Sequence, residues 1–283
     1  PAPIRRGIIL AMLFLSWGVN QIINDYLGLP EDRVNAPNRP MVSGELPPRP
    51  ALITSVILLL GVGVVTWFLN PWALIPVTAG VLLNVLYEYA KAWSLLGNVI
   101  FGLSIAMCTV YGFLAAGPVP TPLFTSNRIS GVVLVALMNG LMTYYTYFKD
   151  YEGDAAAGKH TFVVRHGLTT ARYAGVIGAF LPTATFLVCH WRGWLPLHDI
   201  IFMRDFVFCA SMTVFLQLWT AVLYFRNPVG EKTYFNLATA IRACVAGQIA
   251  LIAIFNGTLA LYLFSASYVF VGFLFNLYGD AKA

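Results

Sequence analysis

Two polar stretches hold most of the acids in an otherwise apolar chain, and each mixes carboxylates with cations. The first runs Asn24-Asp25-Tyr26-Leu27-Gly28-Leu29-Pro30-Glu31-Asp32 and continues through Arg33-Val34-Asn35-Ala36-Pro37-Asn38-Arg39-Pro40. The second is Asp150-Tyr151-Glu152-Gly153-Asp154, followed by Lys159 and Arg165. Hard oxygens beside Arg and Lys suit Mg²⁺ bridging to a phosphate, because that ion takes one or two carboxylates plus substrate phosphate oxygens. Asn24, Asp32, Asp150 and Asp154 are therefore the candidate metal ligands and the candidate catalytic set. Arg39, Lys91, Lys159 and Arg165 are candidate hydrogen-bond donors to a diphosphate. Such a site absorbs the charge that grows as a diphosphate leaves an allylic carbon. The carbocation left behind survives only in a dry chamber, where ring faces stabilise it. Trp17, Tyr144 and Tyr147 lie just inside the motifs and are candidates for that lining. Asp25, Glu31, Glu45 and Glu152 suit a solvated loop equally well.

The elements that must position these residues are membrane helices. Charged residues make up 10% of the 283 and hydrophobic ones 59%, against about 25% charged in a soluble domain. Nine apolar windows have the length of a bilayer span, roughly 7–23, 51–69, 72–90, 97–117, 131–148, 169–190, 201–225, 236–255 and 258–277. Each must be helical, because a spanning segment satisfies its own backbone hydrogen bonds. The expected fold is an all-α polytopic membrane bundle around a central cavity that opens at the cytoplasmic face. The short gap between the last two windows suggests that one of them is re-entrant or kinked. The motifs fall in the two long connections, 24–50 and 149–168, read as loops.

Parity puts both motifs on one membrane face, because four crossings separate Asn24 from Asp150. Most of the Lys and Arg fall on that face, Lys282 included, so it is expected to be cytoplasmic. Asp199 and Asp205 are the acids that fall opposite. Three helical stripes lead towards the motifs: Trp17, Asn20 and Asn24; Asn84, Tyr87, Glu88 and Lys91; and Asn139, Thr143, Thr146 and Asp150. Polar stripes on spanning helices face a cavity or one another, not lipid. Asn84 and Asn139 thereby join Trp17, Tyr144 and Tyr147 as expected pocket residues.

Other features carry less. The net charge of +5 comes with no basic run, so nucleic acid is not an expected partner. The four cysteines form no CxxC pair and read as buried or lipid-facing residues. Arg5-Arg6 precedes an apolar stretch without a cleavage pattern, the mark of a retained helix. Asn256-Gly257-Thr258 matches a glycosylation sequon but sits between two spans. Arg242, inside the eighth span, is expected to snorkel or to pair internally.

At these motifs the chain resembles the UbiA superfamily of intramembrane prenyltransferases. Asn24-Asp25 leading to Asp32 and then to Pro37-Asn38-Arg39-Pro40 is similar to that superfamily's first motif. Tyr87-x-x-x-Lys91 with Gly97-Asn98 is similar to its middle signature, and Asp150-x-x-x-Asp154 with Gly158-Lys159-x-Thr161 to its second motif. The resemblance covers most of the chain and implies one integral-membrane domain over 1–283. It puts Asn24, Asp32, Asp150 and Asp154 on Mg²⁺-binding positions, and Arg39, Lys91, Lys159 and Tyr87 in the diphosphate-binding set. The usual first motif carries a further Asp where this chain has Gly28. The pattern Asn24-x-x-x-Gly28-x-x-x-Asp32 is instead similar to the UbiA-type terpene cyclases. Only one span precedes the first motif where the superfamily usually has two, the pattern of a chain lacking an N-terminal helix, and one extra span stands at the C-terminal end.

The resemblance thus implies a class I type membrane terpene cyclase that ionises farnesyl, geranylgeranyl or geranylfarnesyl diphosphate and closes the cation on its own double bonds. The alternative is a prenyltransferase that hands the same cation to an aromatic or other lipophilic acceptor. A transporter is disfavoured, because its ionisable groups would lie near the bilayer midplane, whereas these cluster at one face.

Overall fold

The structure is a computed structural model and describes residues 2–118, 122–195, 197 and 203–280. Lys282 and Asp199, both used in the parity argument, lie outside the described residues. Twelve α-helices follow in order among the described residues: α1 Pro3–Leu27, α2 Leu29–Asn35, α3 Pro40–Ser43, α4 Pro48–Leu69, α5 Leu74–Ala90, α6 Leu96–Ala115, α7 Ser126–Lys149, α8 Tyr151–Ala156, α9 Phe162–Trp191, α10 Met203–Arg226, α11 Thr233–Ala253 and α12 Gly257–Asp280. Nine are long and apolar enough to cross a membrane, one for each expected window. α11 and α12 are both full-length, which corrects the expectation of a re-entrant or kinked last pair. The chain turns between them at Asn256, whose Oδ1 accepts the backbone N–H of Leu259 at 3.0 Å and so caps α12.

The chain folds as two compact units. The first comprises 1–125 and 152–164, and therefore contains α1 to α6 together with most of the second motif. At one end of this unit Arg5 ties three helices together. Its Nε donates to the carbonyl of Ala115 at 2.8 Å and its Nη2 to that of Leu69 at 2.6 Å. Those carbonyls end α6 and α4, where a cation satisfies oxygens that have no partner further along the helix. Asn70 adds a bond from its Nδ2 to Leu114 O at 2.8 Å. The segment that begins with Arg5-Arg6 is thus an integral helix of the unit.

The second unit comprises 126–151 and 165–283. α11 is its most buried span and presents small residues: Ala240, Ala243, Ala246, Gly247, Ala250 and Ala253. Side chains of that size let neighbouring helices approach closely where no hydrophobic effect drives them together. A Cβ on Gly247 would collide with Met138 Sδ of α7 and come within 3.2 Å of Thr213 Cγ2 of α10. Arg242 pairs internally, as expected. Its guanidinium carbon lies 4.2 Å from the ring centroid of Tyr268 on α12, and its Nε donates to the Tyr268 carbonyl at 3.2 Å. Gly272, one turn further on, leaves the space that the guanidinium fills. α9 is interrupted at Gly167, whose φ of 76° only glycine adopts without strain. The cysteines are free; Cys189, Cys209 and Cys244 are buried and Cys108 is exposed.

Candidate functional site

The first motif is a continuation of α1. Backbone bonds run from Gly28 N to Asn24 O, from Asp32 N to Gly28 O and from Ala36 N to Asp32 O, each at 2.8 to 3.0 Å. The i to i−4 ladder therefore passes through Gly28, and Asn24, Gly28 and Asp32 follow one another a turn apart. This corrects the reading of 24–50 as a loop. Glu31 and Asp32 are buried in α2, at 5% and 8% exposure. Arg39 folds back over the helix, and its Nη1 lies 2.6 Å from Asp32 Oδ2 and 3.0 Å from Asp25 Oδ1. Burial pushes the Asp32 carboxyl above its ordinary value, and the Arg39 guanidinium offsets that shift only in part. Glu45 and Glu152 are exposed, the latter on α8, whereas Glu31 is buried.

The second motif lies directly on the first. The backbone N–H of Gly153 in α8 donates to Asn35 Oδ1 at 3.0 Å. A Cβ on Gly153 would collide with the Asn35 side chain, so glycine permits the approach. Lys159 Nζ is 2.7 Å from Glu31 Oε1 and donates to the Glu88 carbonyl at 2.9 Å. Gly158, at φ 71°, turns the chain after α8. Lys159 N closes that turn on Asp154 O at 2.8 Å, and Asp154 itself is 3% exposed.

The middle signature completes the cluster. Asn24 Nδ2 donates to Asn84 Oδ1 at 3.1 Å, and Asn84 Nδ2 to Asn20 O at 3.4 Å, which locks α1 to α5. Glu88 is 4% exposed and takes Lys91 Nζ on both oxygens, at 2.8 and 3.0 Å. Lys91 Nζ also lies 4.8 Å from the Tyr87 ring centroid, and that ring packs 5.1 Å from Phe101. Beyond Lys91 the chain reaches Ser94, held at φ 57° while its N–H donates to His160 O at 3.0 Å. The three signatures, Asp150 apart, thus meet in the first unit.

Asn139, Tyr144 and Tyr147 fall in the second unit and Trp17 in the first. Asp150 and Arg165 fall in the second unit, where Lys149 Nζ pairs with Asp150 Oδ1 at 3.1 Å and Arg165 is exposed. Tyr144 donates its hydroxyl to Ala171 O and Tyr145 to Gly175 O, both at 2.7 Å. Tyr145 stacks on Tyr224 at 4.8 Å. These rings hold α7 to its neighbours, and Gly175 lets α9 approach them. Asn139 donates to Val135 O of its own helix at 2.8 Å, and Tyr147 is 1% exposed. Trp17 is 56% exposed. Each unit has an apolar hollow: about 940 Å³ in the first, lined by Ile23, Leu27, Leu60 and Val81 among others, and about 580 Å³ in the second, lined by Met138, Phe186, Phe206 and Val214 among others. Neither is lined by Trp17, Asn84, Asn139, Tyr144 or Tyr147.

Among the described residues no group of three or more His, Cys, Asp or Glu is arranged to hold a metal. An Mg²⁺ site shared with a substrate diphosphate needs fewer carboxylates, and the donors here suit that ion. Asn24 Oδ1 is buried without a hydrogen-bond partner among the described residues. Sequence reasoning left Asn35 without a role, read Glu88 only as part of a polar stripe, and found a solvated loop equally suitable for Glu31. The i, i+3 spacing of Glu88 and Lys91 was the available signal for one of them.

Comparison with known proteins bears on the family. The sequence profile described as the UbiA prenyltransferase family matches residues 2–234. A digeranylgeranylglyceryl phosphate synthase of Thermococcus kodakarensis is 26% identical over 214 residues, covering 72% of this chain and 74% of its own. One of Methanosarcina mazei is 26% identical over 248 residues, covering 85% and 81%. A solved structure from work on digeranylgeranylglyceryl phosphate synthase in membranes has a TM-score of 0.59. It covers 95% of this chain and 87% of its own at 19% identity, a likeness of fold. The terpene cyclase expected from Gly28 finds no support in these relatives, and prenyl transfer stands closer to them. Motifs, spans and profile agree, and the chain belongs to the UbiA prenyltransferase family.

Proposed function

We propose that this protein is an Mg²⁺-assisted membrane prenyltransferase that moves an isoprenyl group from its diphosphate to a lipophilic acceptor. The similar synthases are named for a product with geranylgeranyl groups on glyceryl phosphate, so the acceptor proposed is a hydroxyl of a glycerol phosphate lipid. Asn24, Asp32 and Asp154 are assigned to the metal side, and Arg39, Lys91 and Lys159 to the diphosphate, with Tyr87 beneath Lys91. The supporting observation is the seating of the second motif on the first, through Lys159 on Glu31 and Gly153 on Asn35. Mg²⁺, when bound, neutralises diphosphate charge as the leaving group departs.

In this reading Arg39, Lys91 and Lys159 exchange carboxylate partners for diphosphate oxygens and hold the leaving group in place. The bond between the allylic carbon and the diphosphate oxygen breaks with its electron pair going to the diphosphate. The acceptor hydroxyl oxygen then bonds to that carbon and releases its proton. The chain works as a single catalytic domain over 1–283, and its motif face is assigned to the cytoplasm on the charge asymmetry of the loops. Incubating membranes with farnesyl, geranylgeranyl or geranylfarnesyl diphosphate, with and without a prenylated glycerol phosphate, tests the reading. Diphosphate release that depends on the acceptor supports it. A cyclic hydrocarbon formed without acceptor overturns it.

A further inference from the structure

Gly28 is the one position in the turn-by-turn line Asn24, Gly28, Asp32 that carries no side chain. A Cβ built there lies 3.8 Å from Glu88 Oε2 and 3.9 Å from Asp32 Oδ2. The first of these oxygens, from α5, also takes Lys91 Nζ at 3.0 Å, and the second, from α2, takes Arg39 Nη1 at 2.6 Å. Glu88 is a buried carboxylate on the last turn of α5. The position has little room to spare, because the same Cβ comes within 3.1 Å of Asn24 O. A short side chain fits after a shift of a few tenths of an ångström.

We infer that Glu88 supplies the carboxylate absent at position 28 and is, with Asn24 and Asp32, a ligand of the Mg²⁺ that accompanies the diphosphate. The inference deepens the prenyltransferase reading and rests on it. Three facts carry it. Glu88 and Asp32 each bring a carboxylate oxygen within 4 Å of the Cβ position of Gly28. Asn24 Oδ1, on the same line of α1, is buried and accepts no hydrogen bond among the described residues. Glu88 also lies between the two lysines assigned to the diphosphate, taking Lys91 on its carboxylate and Lys159 on its carbonyl. An incoming diphosphate takes up Lys91, and the carboxylate that Lys91 covered becomes free to bind a metal. Two carboxylates and an amide oxygen leave the remaining positions of an octahedral ion for phosphate oxygens and water.

The test is an Mn²⁺ titration of the purified full-length protein with inorganic pyrophosphate present, read by the loss of the free-ion electron paramagnetic resonance signal. Glu88→Gln keeps size and one acceptor oxygen while removing the charge, and is expected to weaken Mn²⁺ binding at least tenfold. Gly28→Asp in the Glu88→Gln background puts a carboxylate at position 28 and is expected to recover most of that loss. A Glu88 acting only as the counter-ion of Lys91 predicts another pattern: pyrophosphate affinity falls in Glu88→Gln, Mn²⁺ affinity holds, and Gly28→Asp rescues nothing. That pattern overturns the inference and leaves the prenyltransferase reading standing. If Glu88→Gln does not fold, Gly28→Asp alone is expected to tighten Mn²⁺ binding, and unchanged or weaker binding overturns the inference. A wild-type protein that binds no Mn²⁺ and releases no diphosphate removes both the inference and the reading beneath it.

Discussion

At the scale of single residues, three acids buried at the mouth of the first unit each have a cation on them: Asp32 has Arg39, Glu88 has Lys91 and Glu31 has Lys159. Burial makes the pairing obligatory, since a carboxylate stranded by the loss of its partner costs about 3–5 kcal/mol. Removing an acid meant for metal has another effect. Asp32→Ala and Asp154→Ala should each lower diphosphate release at least tenfold, while circular dichroism shows unchanged helix content; wild-type turnover in either variant takes that residue out of the site. Gly153→Ala tests the seating of the motifs. The added methyl collides with Asn35, so activity should fall by at least tenfold although no charged group has changed. The gathering of Asp32, Arg39 and Lys159 could be read from the sequence, because acids and cations recurring after apolar runs have few other uses in a membrane protein. Glu31 could not, because its burial depends on Lys159 reaching it from a distant segment.

The elements divide in the same way. Nine spans were legible because each must hide its backbone from lipid over a fixed thickness, which leaves a long apolar signature. α2, α3 and α8 were not, being four to seven residues long and rich in Pro, Gly and charge. α2 exists because the ladder of α1 runs on through Gly28, a tertiary fact rather than a propensity. The aromatic residues of α7 also have a packing role that the sequence did not show. Tyr144 and Tyr145 donate their hydroxyls to carbonyls of α9, an arrangement visible only once α9 is in place. Close packing also predicts a cost. Gly247→Leu should overpack α11 against Met138 and Thr213, losing about 1–3 kcal/mol and lowering the unfolding temperature in detergent. An unchanged midpoint would show that α11 does not rely on that close approach.

At the scale of the whole molecule, the chain crosses between units repeatedly around the second motif, leaving the first unit after 125, returning at 152 and departing again at 165. A fragment of residues 1–125 should therefore insert as helices yet leave Glu31 and Asn35 without Lys159 and Gly153. Limited proteolysis should cut its 28–46 region faster than in the full chain; equal rates would mean that the first motif holds its shape alone. The same arrangement has a consequence for biosynthesis. Asn35 and Gly153 stand 118 positions apart, so at ribosomal speeds of about 5–20 residues per second the nascent chain waits roughly 6–24 s for the second half of its own polar lock. Throughout that interval an acidic helix end lies at the membrane surface without its eventual lysine, which makes the translocon and early lipid headgroups its first solvent.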